Sequence, residues 1–203
     1  MLFRSVTDRE TVKVVAETLG QINREIVRDI NRLGAQTVGL SGHDAEILNV
    51  KKHVANGDVG FVGEVVSVNT LPIRELTEFN VIPVLSPLGI DEKKEIYNVN
   101  ADEAAAKVAS ALQVQKLMIL TNVQGIMRDP KKGNSLIRSL HVDEVQGLIK
   151  DKVITDGMIP KVNSCVSALQ AGIKKAHIID GRIKHSLLLE IFTDEGIGSE
   201  IIL

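Results

Sequence analysis

The sequence predicts an α/β protein, a three-layer αβα sandwich around a mainly parallel open sheet. Three observations carry that expectation. Short Val- and Ile-rich runs alternate with amphipathic segments, the order that builds parallel strands covered by helices. The run KLMILT (116–121) is continuously apolar, as expected of a strand buried on both faces. A chain of 203 residues, 44% hydrophobic and 25% charged, is also large enough for a real core and too apolar for wholesale disorder.

Val12, Val15, Leu19, Ile22, Ile26, Ile30 and Leu33 recur at steps of three and four and draw one apolar stripe on a first helix. Thr7 and Glu10 have the spacing of a capping box ahead of it, and Gly34 supplies the left-handed position that ends it. QTVGL (36–40) reads as a strand running into a small-residue turn. DVGFVGEVVSV (58–68) reads as a hairpin with a tight bend, and residues 70–79 as a short helix with Pro72 in its first turn. VIPVLS (81–86) resumes an apolar strand. Residues 101–112 form an Ala-rich helix burying Ala104, Ala105, Val108, Ala111 and Leu112. After the strand 116–121 and a polar loop at 128–135 come helices near 142–150 and 158–171, the second carrying Cys165 on its apolar side. KAHIID (175–180), SLLLEIF (186–192) and SEIIL (199–203) then read as strand, helix and strand. No repeat, low-complexity tract or linker divides the chain, so 1–203 reads as one domain.

Composition excludes several functions. A formal net charge of −2 offers no electrostatic footprint for nucleic acid or anionic lipid, and 2% aromatic residues without Trp leave no base-stacking platform. Apolar runs are too short to span a membrane, and no secretory signal is visible at the start. One cysteine excludes a disulfide framework and fits a reducing cytoplasm. The five histidines show no metal-ligand pairing, and there is no serine-nucleophile elbow, P-loop or dinucleotide fingerprint. The Gly57, Gly60, Gly63 spacing is explained as well by a bent hairpin as by a ligand.

Two segments combine polar residues with positions where ligands sit. YNVNAD (97–102) joins a strand to the Ala-rich helix, and Asp102 falls at the positive end of the helix dipole. The segment occupies the carboxyl end of a strand, where α/β sheets bind ligands, although Asn and Asp are also common caps. In ITDGMIPKV (154–162), Gly157 permits close backbone approach, and Lys161 lies in the first helical turn. A cation is unfavourable there unless an anion such as phosphate joins it; the plain alternative is a surface lysine.

Taken in order, VGLSGHDAEIL, DVGFVGEV, YNVNADEAA, LTNVQGI, VITDGMIPKV, HIIDGR and LLLEIFTDEGIGS resemble the motifs of the acetylglutamate kinases within the amino acid kinase family. The resemblance covers nearly the whole chain. It implies transfer of a phosphoryl group from ATP, with Mg²⁺, to the side-chain carboxylate of N-acetyl-L-glutamate in arginine biosynthesis, by a cytoplasmic homodimer. By the same resemblance Lys161 stabilises charge on the transferring group, Asp102 orients the catalytic lysines and Asn98 binds acetylglutamate. Asn122, Val123, Gln124, Gly125, Ile126 and Met127, with Val153, Ile154 and Thr155, match the two nucleotide-binding stretches. Asn122 stands where an aspartate is usual. Family members carry a Lys-Gly-Gly strand and an HGGG loop ahead of the first helix, and MLFRSVTDRET contains neither. Where the family has a substrate-binding arginine three residues before its aspartate, Ser5 holds the spacing and Arg4 lies one position away. Two alternatives stay open: a truncated or non-catalytic homologue that keeps the ATP side and binds arginine around residues 190–199, and the kinase-like domain of an acetylglutamate synthase. The synthase is disfavoured because no acetyltransferase domain follows Leu203.

Overall fold

The computed structural model describes residues 6–54, 57–129, 131–132 and 135–203. Its contacts gather into two units, 1–111 and 112–203, a division that the linker-free sequence does not announce.

In the first unit, α1 (Arg9–Arg32) packs on two parallel strands, β1 (Thr37–Ser41) and β4 (Ile82–Ser86). Asp8, not Thr7, caps the helix: its carboxylate accepts the Thr11 N–H at 2.7 Å. Thr7 is drawn away into a parallel bridge with Gly60. Gly34 ends the helix at φ +94°, as its position predicts. The apolar stripe is only partly used, since Val12 is buried whereas Ile22 and Ile26 stay exposed. A polar residue, Asn23, takes the centre of the packed face instead. Its amide donates to the carbonyls of Leu40 and Val84 and to the Ser86 hydroxyl, bridging both strands. Along the outer edge of β1, the Asn31 side chain pairs with both the N–H and C=O of Thr37, and the Asp44 carboxylate takes the Ser41 N–H. β4 carries Pro83, which has no N–H to offer.

The same unit holds a small closed barrel of β2 (Leu48–Lys52), β3 (Val62–Val68), β6 (Ile96–Val99) and β5 (Leu88–Ile90). The hairpin expected within 58–68 is therefore formed otherwise. Residues 62–68 are one strand, and its antiparallel partner is LNVKK, whose two lysines and asparagine hide the strand from a search for apolar runs. The helix near 70–79 is α2 (Leu71–Glu78), with Pro72 in its first turn. α3 (Ala101–Leu112) is helical as expected, but Ala106 and Ala109 are buried with Ala104, and Ala111 is exposed. In so uniform a run of alanines the pattern does not fix the inward face.

In the second unit the sheet runs β7 (Lys116–Thr121), β9 (Lys175–Asp180), β10 (Ser199–Ile202), β8 (Ser139–His141). β7 pairs parallel to β9, while β10 is antiparallel to β9 and parallel to β8. β7 is not buried on both faces, because Leu120 is 49% exposed. The helices α4 (Val142–Lys150), α5 (Met158–Gln170) and α6 (Ser186–Phe192) fall where the sequence places them, with Cys165 fully buried.

Two buried carboxylates pin this unit. Glu190 on α6 receives the His177 Nδ1–H at 2.7 Å and the N–H groups of Ile197 and Gly198 at 2.7 and 3.0 Å. His177 Nε2 finds no hydrogen-bond partner among the described residues; Glu200 Oε1 lies 3.9 Å away. Burial pushes the Glu190 carboxyl up, but the Ile197 N–H, His177 and the Gly198 N–H together hold it below its ordinary value. Asp180 is forked by the Arg182 guanidinium at 2.9 and 2.7 Å and takes the Arg182 N–H, which hold its pKa at about 2.

These contacts set two expectations. At Gly34 a Cβ would meet open space, whereas at Gly60 (φ +77°) it would sit 2.1 Å from the Thr7 carbonyl oxygen. Urea denaturation will place Gly34→Ala about 1 kcal/mol below the parent, the ordinary left-handed penalty. Gly60→Ala will cost about 3 kcal/mol or more, because backbone must move as well. Asp180 and Glu190 bind protons less readily folded than unfolded, so their contribution is complete above the ordinary carboxylate range and drains away as pH falls below it. Circular dichroism across an acid titration will show Asp180→Asn flattening the loss of stability between about pH 5 and 2.

Candidate functional site

In the first unit the site residues lie at the junction of β6 and α3. Tyr97 and Val99 face the barrel interior, so the half-buried Asn98 is turned the other way. Its backbone N–H donates to the Phe61 carbonyl at 2.9 Å. Asn100 acts differently. Its side-chain oxygen accepts the N–H groups of Asp102 and Glu103 at 3.0 and 3.1 Å and caps α3. The two amides that look equivalent in the sequence are thus separated into a strand residue and a cap. Asp102 is half-buried in the first turn, on the positive end of the helix. Glu103 beside it accepts the Val65 N–H at 3.0 Å and fixes the start of α3 against β3.

In the second unit the stretch after β7 divides in two. Asn122, Val123 and Gln124 form an exposed crest, while Gly125 and Ile126 are buried and Met127 half-buried. The root is held by one hydroxyl. Ser199 Oγ accepts the Ile126 N–H at 2.9 Å and donates to the Ile137 carbonyl at 2.5 Å. Gly125 must be glycine, since its φ is +145° and a Cβ would stand 2.7 Å from that same hydroxyl. Met127 bridges to Leu136.

Val153, Ile154 and Thr155 follow α4. The N–H groups of Val153 and Ile154 both donate to the Leu148 carbonyl, Ile154 is buried, and Thr155 is exposed. Gly157 then leads into α5 at φ −65°, and no atom lies within 4 Å of where its Cβ would be. Nothing in the fold therefore demands glycine there. No side chain caps the first turn of α5, in which Lys161 is half-buried four residues after Gly157. The N–H groups of Met158 and Ile159 donate to the carbonyls of Thr155 and Asp156 at 3.0 and 3.2 Å, and Pro160 has none, so the turn sets the positive end of the helix dipole beside a lysine.

The structure thus brings Asn98 and Asp102 together at one strand–helix junction, and sets the two loop stretches and Lys161 within the other unit. Arg4 lies outside the described residues. Among the described residues no three His, Cys, Asp or Glu side chains gather as a metal site. Nor does any described helix have the length and apolarity to cross a membrane. Sequence reasoning missed the His177–Glu190 pair and the Thr7–Gly60 bridge. A signal existed for the first: HIID and LLLEIF each carry a charged or titratable residue inside an apolar run, which burial tolerates only if it is paired.

Comparison with known proteins agrees with this architecture. The amino acid kinase family model matches residues 2–180. The chain is 49% identical to an acetylglutamate kinase of Heliobacterium modesticaldum, over 97% of this chain and 70% of that protein. It is 47% identical to an acetylglutamate kinase of Caldanaerobacter subterraneus subsp. tengcongensis, over 97% of this chain and 66% of that one. The chain thus spans roughly two thirds of the length of these curated relatives. Among solved structures, N-acetylglutamate synthase from Neisseria gonorrhoeae, complexed with coenzyme A and N-acetyl-glutamate, superposes with a TM-score of 0.84 at 25% identity, covering 98% of this chain and 45% of that one. A Streptococcus mutans UA159 protein gives 0.82 at 27% identity, covering 97% of this chain and 74% of that one. The chain belongs to the amino acid kinase family, on its acetylglutamate kinase branch.

Proposed function

We propose that this chain works in the ATP-dependent phosphorylation of the side-chain carboxylate of N-acetyl-L-glutamate, a step of arginine biosynthesis. The observation that carries the reading is 49% identity to an acetylglutamate kinase sustained over 97% of the chain. A carboxylate oxygen of acetylglutamate attacks the γ-phosphorus of ATP, the bond to the bridging oxygen breaks, and ADP leaves with that oxygen. The product is an acyl phosphate. Little covalent chemistry falls to the protein in such a transfer, so positioning and charge stabilisation dominate.

On this reading Lys161 neutralises charge growing on the transferring group, aided by the positive end of the α5 dipole. Asp102 orients the cationic groups, and Asn98 holds acetylglutamate with Arg4. Residues 122–127 and 153–155 bind the nucleotide, and the open space at Gly157 supports close approach there. The acidic groups of the described residues do not form a cage for a resident metal. Mg²⁺ would come on the phosphates of the nucleotide and would supply charge neutralisation there. A cytoplasmic homodimer belongs to the same proposal.

A second reading stands beside the first. It is a non-catalytic homologue that binds ATP, or arginine near residues 190–199. Hydroxylamine trapping of the acyl phosphate and thermal shift separate the two. The kinase reading expects trapped product with ATP, Mg²⁺ and acetylglutamate, reduced about 100-fold or more by Lys161→Ala. Stabilisation by ATP or arginine without product favours the binding homologue, and no stabilisation by either ligand eliminates both.

A further inference from the structure

Arg9 breaks a local rule. It is the first residue of α1, where the helix dipole disfavours a cation, and no gain to the helix explains it. Its contacts lie elsewhere. Arg9 Nη2 donates to Glu95 Oε1 at 2.9 Å, and its guanidinium carbon stands 5.3 Å from the centroid of the Phe61 ring. Phe61 in turn lies 5.5 Å from the Tyr97 ring at an interplanar angle of 40°. The Tyr97 hydroxyl donates to Asp91 Oδ2 at 3.2 Å, and Asp91 Oδ1 accepts the N–H groups of Lys93 and Glu95 at 2.9 Å each. The guanidinium is thus a bridge between the start of α1, the loop before β3 and the turn before β6.

The backbone under this bridge leads to Asn98. Thr7 donates its N–H to the Val59 carbonyl at 3.0 Å, Phe61 donates to the Thr7 carbonyl at 2.6 Å, and Asn98 donates to the Phe61 carbonyl at 2.9 Å. Gly60 at φ +77° allows the approach. Asp58 fixes the loop from its other side, accepting the Gly60 N–H at 2.9 Å and the Lys52 ammonium at 2.7 Å. Phe61 is therefore the rung between the segment ahead of α1 and the strand that carries Asn98, and its ring is what Arg9 grips.

We propose that Arg9 is a positioning residue for the acetylglutamate-binding strand: by stacking on Phe61 and pairing with Glu95 it holds the 57–61 loop against β6 and sets the presentation of Asn98. The proposal rests on the reading of Asn98 as a substrate ligand. It assigns no contact between Arg9 and substrate.

Hydrogen exchange and calorimetry on the full chain test it. In Arg9→Gln the amides of Phe61 and Asn98 should exchange about 5-fold faster, the size expected on losing one exposed cation–π contact and one exposed ion pair. Amides of β7 and β9 should not change. Acetylglutamate affinity should fall by a similar factor, Arg9→Lys should restore most of both effects, and Glu95→Gln should give a smaller loss. Unchanged exchange at Phe61 and Asn98 overturns the proposal whatever the affinity. Faster exchange with unchanged affinity reduces Arg9 to a structural contact and overturns it too. If the parent chain binds no acetylglutamate, the reading of Asn98 fails and the positioning role falls with it, while the exchange result still reports whether the grip on Phe61 exists.

Discussion

At Gly60 two backbones meet so closely that one added carbon would sit 2.1 Å from the Thr7 carbonyl oxygen. Much of the first unit depends on that approach. It pulls Thr7 out of the capping role, so Asp8 takes over the start of α1. It also places Phe61 between Thr7 and Asn98, joining the helix start, the loop and the strand that carries Asn98 through three backbone hydrogen bonds. The second unit has a counterpart in the Ser199 hydroxyl, which ties the loop after β7 to the segment before β8. In both cases a small group at a crowded point fixes a loop that a larger one would displace.

Reading the sequence succeeded where physics is local. The helices near 101–112, 142–150 and 158–171 and the strands at 116–121 and 175–180 have the predicted extents to within a residue, because period and turn residues act over short range. The barrel was not legible. Its strand LNVKK carries more polar than apolar residues, and β5 has only three residues, so neither gives a pattern. What defines them is pairing between distant segments, which one-dimensional periodicity cannot express. The exposure of Ile22, Ile26 and Leu120 has the same origin: a stripe shows which residues can be buried, and only tertiary neighbours decide which are.

The candidate site was legible as motifs and not as mechanics. NVNAD and DGMIPK fall at a strand–helix junction and a helix start, but nothing in the first separates Asn98, turned away from the barrel core, from Asn100, spent on capping α3. Gly57, Gly60 and Gly63 look alike as a spacing. In the structure they divide into an open position, an obligatory close approach and a packing contact against Tyr97 and Val50. Lone polar residues inside apolar runs were the most informative signal left unread, since His177 and Glu190 proved to be partners.

The treatment of β1 and β4 has a consequence for how the polypeptide behaves in company. Short parallel strands with bare rims are templates on which foreign chains accrete. Here the Asn31 amide imitates a neighbouring strand at Thr37, the Asp44 carboxylate occupies the Ser41 donor, and Pro83 withholds one from β4. Three side chains thereby act as gatekeepers against amyloid-like growth.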